Sequence, residues 1–276
     1  NSGMFGAGDA TLEWKLSPRA TVWSGLRGNL NPAVSETDAI DMLAQHLITQ
    51  PVFDALFEGY EFTKNNPVSK SMQKMLDILH DNGLGKEAES LEKFYASVRL
   101  RASDIDNVEA RQRIVIELYE KFFKTAFPRM TDRLGIVYTP VEIVDFILKS
   151  ADYALRQEFG VGLADRSVHV FDPFTGTGTF IVRLLQSKLI APEQLEHKFK
   201  NELHANEIVL LAYYIAAVNI EYAYHLRRQQ AGIREDYQPF EGIVLTDTFQ
   251  LTEGKGSLEE QMFPDNNKRA VKQKAV

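Results

Sequence analysis

The chain has 276 residues, 44% hydrophobic and 25% charged, with a net charge of −7, a balance that fits a soluble globular protein of one large domain or two ordinary ones. No run approaches the ~20 apolar residues of a membrane span. The first residues lack a basic-then-apolar signal layout, and the absence of cysteine excludes disulfides and thiolate metal sites and suits a reducing cytoplasm. The acidic balance excludes a surface that is basic throughout, but not a local basic path toward phosphates.

Residues 1–34 are rich in turn formers (Gly3, Gly6, Gly8, Pro18, Gly25, Gly28, Pro32) and read as a loop-rich N-terminal segment packed around Trp14 and Trp23. From Ser35, "SETDAIDMLAQHLITQPVFDALF" spaces Ile40, Leu43, Leu47 and Ile48 as a helix face, with Pro51 as a break or kink. "SKSMQKMLDILHDNG" repeats the pattern through Met72, Met75, Leu76 and Leu79, and two further amphipathic helices follow in "EAESLEKFYASVRLRA" and "NVEARQRIVIELYEKFFKTAF". Residues 35–128 therefore read as a helical domain.

Over residues 129–276 helices and strands alternate. "TPVEIVDFILKSADYALRQEF" is a helix, "SVHVFD" a strand, "GTFIVRLLQSKLI" a helix, "NELHANE" a strand, "IVLLAYYIAAVNIEYAYHLRRQ" a long buried helix and "EGIVLTD" a third strand. Strands separated by helices predict an α/β fold with a parallel, doubly wound, Rossmann-like sheet covered on both faces, and ligands bind off the carboxyl ends of such strands. Residues 252–268 read as a mobile loop, and Lys268, Arg269, Lys272 and Lys274 as a basic, flexible tail. The chain starts without methionine and ends in "KRAVKQKAV", the look of a segment of something longer.

The three predicted strands all end in an acid: Asp172, Glu207 and Asp247. The first runs into "DPFTGTG", where Gly176 and Gly178 let backbone approach a ligand and a helix start offers unpaired N–H groups. The third position of a dinucleotide fingerprint is Ile181, and no phosphate-loop pattern occurs. Asp172 beside the turn would repel a pyrophosphate and attract an ammonium; Glu207 is placed to accept from a ribose diol and Asp247 from a base amine. An ammonium, a ribose and an adenine in a row describe S-adenosylmethionine. The bland alternative is that each acid caps the next helix or faces solvent. Upstream, Thr139, Pro140 and Glu142 read as a capping box opening the first helix of this half.

"GIVYTPVEIVDFIL", "VFDPFTGTGTFIV", "HANEI" and "LTDTF", in that order, resemble successive motifs of the gamma-type adenine-N6 DNA methyltransferases, and most closely those of Type ISP restriction-modification enzymes. The similarity is strong over residues 131–250 and softer over 35–128, which would correspond to the coupler of such enzymes. The resemblance implies an S-adenosylmethionine-dependent methyltransferase domain, incomplete here. Thr139 and Pro140 would line the methionine end of the pocket, and Asp172, Pro173, Thr175, Gly176 and Gly178 would wall the amino-acid moiety. Glu207 would hold the ribose, Ile208 would pack on the adenine ring, and Asp247 would accept its amine beside Thr248 and Phe249. The parent would act on double-stranded DNA and carry covalently linked nuclease, ATPase and target-recognition domains.

The family's catalytic Asn/Asp-Pro-Pro-Tyr/Phe motif occurs nowhere in the chain. It accepts the target amine and stacks the extruded base, so no catalytic residue is assigned, and the fragment is expected to hold the cofactor half of a site and to be inactive alone. The nearest fragment, "NNPVS" at 65–69, reads as a turn before a helix. The histidines show no paired metal spacing; His204 reads as a packed residue, Glu193 and Glu196 as a helix start, and Arg99, Arg101, Arg111 and Arg113 as solvated helix surface. A rival reading is a mechanical adaptor that joins a DNA motor to a recognition domain, with the cofactor pocket as sensor. A nicotinamide oxidoreductase is disfavoured by the missing third glycine.

Overall fold

The computed structural model describes residues 23–24, 26–27, 33–56, 62–79, 96, 139–234, 236–249 and 263–275. Apart from Ala96, which is helical, the predicted helices between residues 84 and 128 lie outside the described residues, as do Trp14 and the boundary at 128. Trp23 is half-buried, its indole N–H donating to the Val34 carbonyl at 3.0 Å, with the Arg27 guanidinium 4.9 Å from the ring centre.

The first long helix, α1 (Glu36–Leu56), opens on a capping box. The Ser35 hydroxyl accepts from the Asp38 N–H at 3.1 Å, and the Asp38 carboxylate accepts from the Ser35 N–H at 2.9 Å. The helix runs through Pro51 without ending. Its buried face is Ala39, Met42, Leu43, Gln45, His46, Thr49 and Phe53, and Ile40 is exposed, so the expected stripe is rotated. Polar residues enter that face because they find partners: the Thr49 hydroxyl donates to the Gln45 carbonyl at 2.6 Å, and His46 Nδ1 lies 2.9 Å from the Tyr214 hydroxyl. A short turn of helix, α2 (Phe62–Asn65), leads into α3 (Pro67–Leu79). There Asn66 Oδ1 accepts from the Val68 and Ser69 N–H groups at 3.0 Å, with Pro67 at the first helical position. "NNPVS" is indeed a helix start. Among the described residues of this half there is no strand.

In the second half, α4 (Val141–Phe159) ends at Gly160, whose φ of 71° is the left-handed stop. Then come β1 (Val170–Asp172), α5 (Thr179–Gln186), α6 (Pro192–His197), a π-helical turn (Lys198–Glu202), β2 (Leu203–Glu207), α7 (Leu210–Gln230), β3 (Ile243–Leu245) and α8 (Pro264–Lys274). The first strand is shorter than "SVHVFD" suggests, because Ser167 takes a left-handed φ of 68°. The capping box expected at Thr139 is absent: Pro140, not Thr139, is the residue before α4, and it makes no side-chain cap.

The sheet is parallel, in the order β1-β2-β3, with Asp172 beside Ala205 and Glu207 beside Leu245. Spatial order follows chain order, so the reversal that defines a doubly wound sheet does not occur among the described strands. What stands is a helix-rich fold around a small parallel sheet.

The helix α7 is the centre of the core, buried almost continuously from Leu210 to Tyr224. It packs on α5, β2 and β3 and also on α1, so both halves share one core. The basic tail is not a flexible linker, and residues 264–268 are not part of a mobile loop: they belong to α8, which starts at Pro264 behind a fully buried Phe263. Asn266, itself buried, accepts from the Leu245 N–H and donates to the Leu245 carbonyl, both at 3.0 Å. One side chain thus stands in for a neighbouring strand at the β3 edge.

Candidate functional site at the strand ends

Three parallel strands place their carboxyl ends together, and the loops that follow are bonded to one another. The Thr175 N–H donates to the Asn206 carbonyl at 3.0 Å, and the Thr248 hydroxyl donates to the Pro173 carbonyl at 2.6 Å. The exposed rings of Phe174 and Phe249 meet at 5.6 Å. The glycine loop after β1 therefore touches the ends of both β2 and β3.

Glu207 ties the arrangement. One carboxylate oxygen accepts from the Gly176 N–H at 2.8 Å; the other accepts from Ile208 at 2.9 Å and Val209 at 2.8 Å, at the head of α7. Burial pushes its carboxyl up to about 7, against the pull of those N–H groups and with help from the Asp172 charge. Burial also raises the Asp172 carboxyl above its usual range, with the Thr175 hydroxyl and the Phe174 N–H opposing. Asp172 Oδ2 and Thr175 Oγ1 are buried and close to one another without well-formed hydrogen-bond geometry, and both amide atoms of Asn206 are buried without a hydrogen-bond partner. β3 ends at Leu245, two residues before Asp247, which therefore lies in the following loop and not at the strand end as expected; its Oδ1 accepts from the Phe249 N–H at 3.0 Å.

The two glycines have different reasons. Gly176 has φ 56° and open space where a Cβ would stand, leaving its outer side clear. Gly178 has φ 84°, and a Cβ there would press on Ala216 Cα and the Ile220 side chain at 3.2 Å; its missing side chain admits α7 rather than a ligand. Ile181, at the fingerprint's third position, is a core residue 1% exposed.

The structure thus brings Asp172, Pro173, Thr175, Gly176, Glu207, Thr248 and Phe249 into one bonded cluster, with Ile208 (39% exposed) and Asp247 at its rim. Gly178 closes the loop against α7. Thr139 and Pro140 are exposed at the head of α4, where the Pro140 carbonyl accepts from Ile143 and Val144. Their helix is tied to α5 by a two-point ion pair, Arg183 to Asp145 at 2.8 and 2.6 Å.

Two residues escaped the sequence reading. Asn206 precedes Glu207 and is fully buried; nothing but its place beside that acid could have marked it. Asn219 donates its amide to the Thr177 carbonyl at 3.1 Å; as the one strongly polar residue within "LLAYYIAAVNI", it was findable. His204 is buried, with Nε2 2.9 Å from His169 Nδ1. Among the described residues no cluster of three His, Asp or Glu could hold a metal, and no helix is long and apolar enough to cross a membrane.

Residues 18–110 match the family described as Type ISP restriction-modification enzyme, coupler domain. The helices α1 to α3 fall inside that coupler span. Over 97% of its length the chain is similar to solved Type ISP enzymes. One is a nuclease-deletion mutant of LlaGI in complex with a DNA substrate mimic (46% identity, TM-score 0.84, 22% of that chain covered). Another is the ATP-dependent LlaBIII bound to DNA (47%, 0.85, 18% covered). A DrdV–DNA complex is similar at 33% identity and a TM-score of 0.80, over 97% of this chain and 25% of that one. The chain therefore spans about a fifth to a quarter of these proteins. No curated protein sequence matches it.

Proposed function

We propose that this chain is the S-adenosylmethionine-binding part of a DNA adenine-N6 methyltransferase within a Type ISP restriction-modification enzyme, preceded by part of that enzyme's coupler. The observation that carries the reading is the bonded cluster at the strand ends, in which Glu207 and Thr248 draw the glycine loop against the ends of β2 and β3.

The residues present suit this cofactor. Asp172 Oδ2, buried beside the Thr175 hydroxyl, offers an acceptor to an ammonium group. Gly176 leaves its outer side open, as a ligand lying on the loop requires. Glu207 already accepts three N–H bonds, which leaves about one of a carboxylate's roughly four acceptor directions for a ribose hydroxyl. Asp247 would accept the adenine amine, Ile208 and Phe249 would flank the ring, and Thr139 and Pro140 would face the methionine end from the head of α4. When bound, the cofactor supplies the methyl group. The chain's own residues bind and orient it, and no Asn-Pro-Pro-Tyr-type motif is present to hold a target base. The chain alone is therefore expected to bind cofactor without methylating DNA. In the parent, nuclease, ATPase and target-recognition domains would complete the system on double-stranded DNA; the solved relatives hold a DNA substrate mimic and DNA.

The adaptor reading has one observation of its own: α1 and α3 meet α7 through buried polar contacts, His46 with Tyr214 and Asn66 with Tyr213. Calorimetry with S-adenosylmethionine and a nicotinamide dinucleotide in parallel separates the readings. Binding of the first alone supports the cofactor site that both the methyltransferase and a sensing adaptor require, binding of the second alone refutes it, and binding of neither leaves an adaptor without a cofactor pocket.

A further inference from the structure

Between the two left-handed glycines sits Thr177, buried, and the peptide joining it to Gly178 is bonded at both ends. The Gly178 N–H donates to the Thr175 carbonyl at 2.8 Å, and the Thr177 carbonyl accepts from Asn219 Nδ2 at 3.1 Å. Asn219 is 4% exposed, in the middle of α7, among Ala216, Val218 and Ile220. An amide in such surroundings is costly unless hydrogen-bonded, and here its donor is aimed at the glycine loop. Glycines flank this peptide at 176 and 178, so sterics alone do not fix its orientation. The same helix face presses on Gly178 through Ala216 and Ile220. The loop is thus gripped from two sides: Glu207 holds the Gly176 N–H from the strand end, and Asn219 holds the Thr177 carbonyl from α7.

We infer that Asn219 is a positioning residue for the cofactor, setting the peptide plane of the glycine loop through the Thr177 carbonyl without itself touching the ligand. This role rests on the S-adenosylmethionine reading. Losing the bond leaves a buried carbonyl unpaired and holds the peptide at its Gly178 N–H alone, so the loop is less firmly fixed in one orientation.

The test is a calorimetric titration of S-adenosylmethionine into wild-type chain, Asn219→Ala and Asn219→Asp, at pH values from 5.5 to 8. Asn219→Ala is expected to weaken binding about tenfold, the worth of one buried hydrogen bond. An aspartate in this place has nearly the shape of asparagine but donates only when protonated, and burial raises its pKa. Its affinity relative to Asn219→Ala is therefore expected to recover as pH falls. The ratio removes the effect of Glu207, which both variants share. If Asn219→Ala does not fold, Asn219→Asp is read against wild type in the same way. Undiminished binding in Asn219→Ala, or a ratio that does not change with pH, overturns the positioning role alone. Absence of binding by the wild type overturns both it and the reading beneath it.

Discussion

Glu207 gives its carboxylate to three backbone N–H groups, one in the glycine loop and two at the head of α7, and burial holds its carboxyl at about 7. The ionised form accepts all three bonds more strongly than the neutral one. Cofactor affinity is therefore expected to fall as pH drops from 8 to 6, and Glu207→Gln should flatten that dependence while weakening binding at pH 8; calorimetry across pH checks both. Glu221 is held instead by the segment that precedes β3. It is 3% exposed, accepts from the Tyr237 hydroxyl at 2.6 Å and the Phe240 N–H at 2.8 Å, and burial pushes it up to about 7. A folded-state pKa above the unfolded value means its contribution is fully present below about pH 4.5 and is lost as pH rises through 7. Glu221→Gln cannot ionise, so its stability relative to wild type should rise with pH across that window, by on the order of 3 kcal/mol. Urea unfolding at pH 5 and pH 8 measures it, and a difference independent of pH would refute the assignment. Asp172 and Glu207 were legible in the sequence as strand ends, whereas β3 stops at Leu245, two residues short of Asp247. The orphaned amide of Asn206 and the bond from Asn219 to Thr177 were not, since hydrogen bonds between distant segments leave no periodicity behind.

At the scale of elements, α8 shows where local sequence misled. "NNKRAVKQK" is strongly basic and reads as solvated tail, yet Phe263 and Asn266 anchor it. Asn266→Ala leaves the Leu245 N–H and carbonyl unpaired at a buried sheet edge, and is expected to cost about 2–3 kcal/mol in urea unfolding. Lys272→Ala, at an exposed position of the same helix, should stay within about 0.5 kcal/mol. Equal effects would count against the edge-capping role. The helix α1 misled in another way: its apolar spacing allowed two faces, and the partners available on α7 chose the one containing His46. Burial on that face holds His46 down to about 4, so it meets the Tyr214 hydroxyl as a neutral ring at physiological pH. The capping box lies at Ser35–Asp38 and not at Thr139, because Pro140 occupies the position just before α4.

For the whole molecule, α7 carries the account. One face of it holds the glycine loop through Asn219, Ala216 and Ile220, and its first turns send Tyr213 and Tyr214 into α3 and α1. The helical half and the sheet were separable in the sequence by their periodicity. Their common core was not, because packing between segments some 150 residues apart is decided by shape. The doubly wound expectation went further than the strands described, which run in chain order without a reversal. The claim on which the rest stands is that the three strand ends form one site for S-adenosylmethionine, and calorimetric titration of that ligand into the 276-residue chain tests it most directly. The account predicts one-to-one binding, weakened about tenfold or more by Asp172→Ala and by Asp247→Ala separately, as loss of a charged hydrogen bond requires. No binding, or binding indifferent to both substitutions, would contradict it.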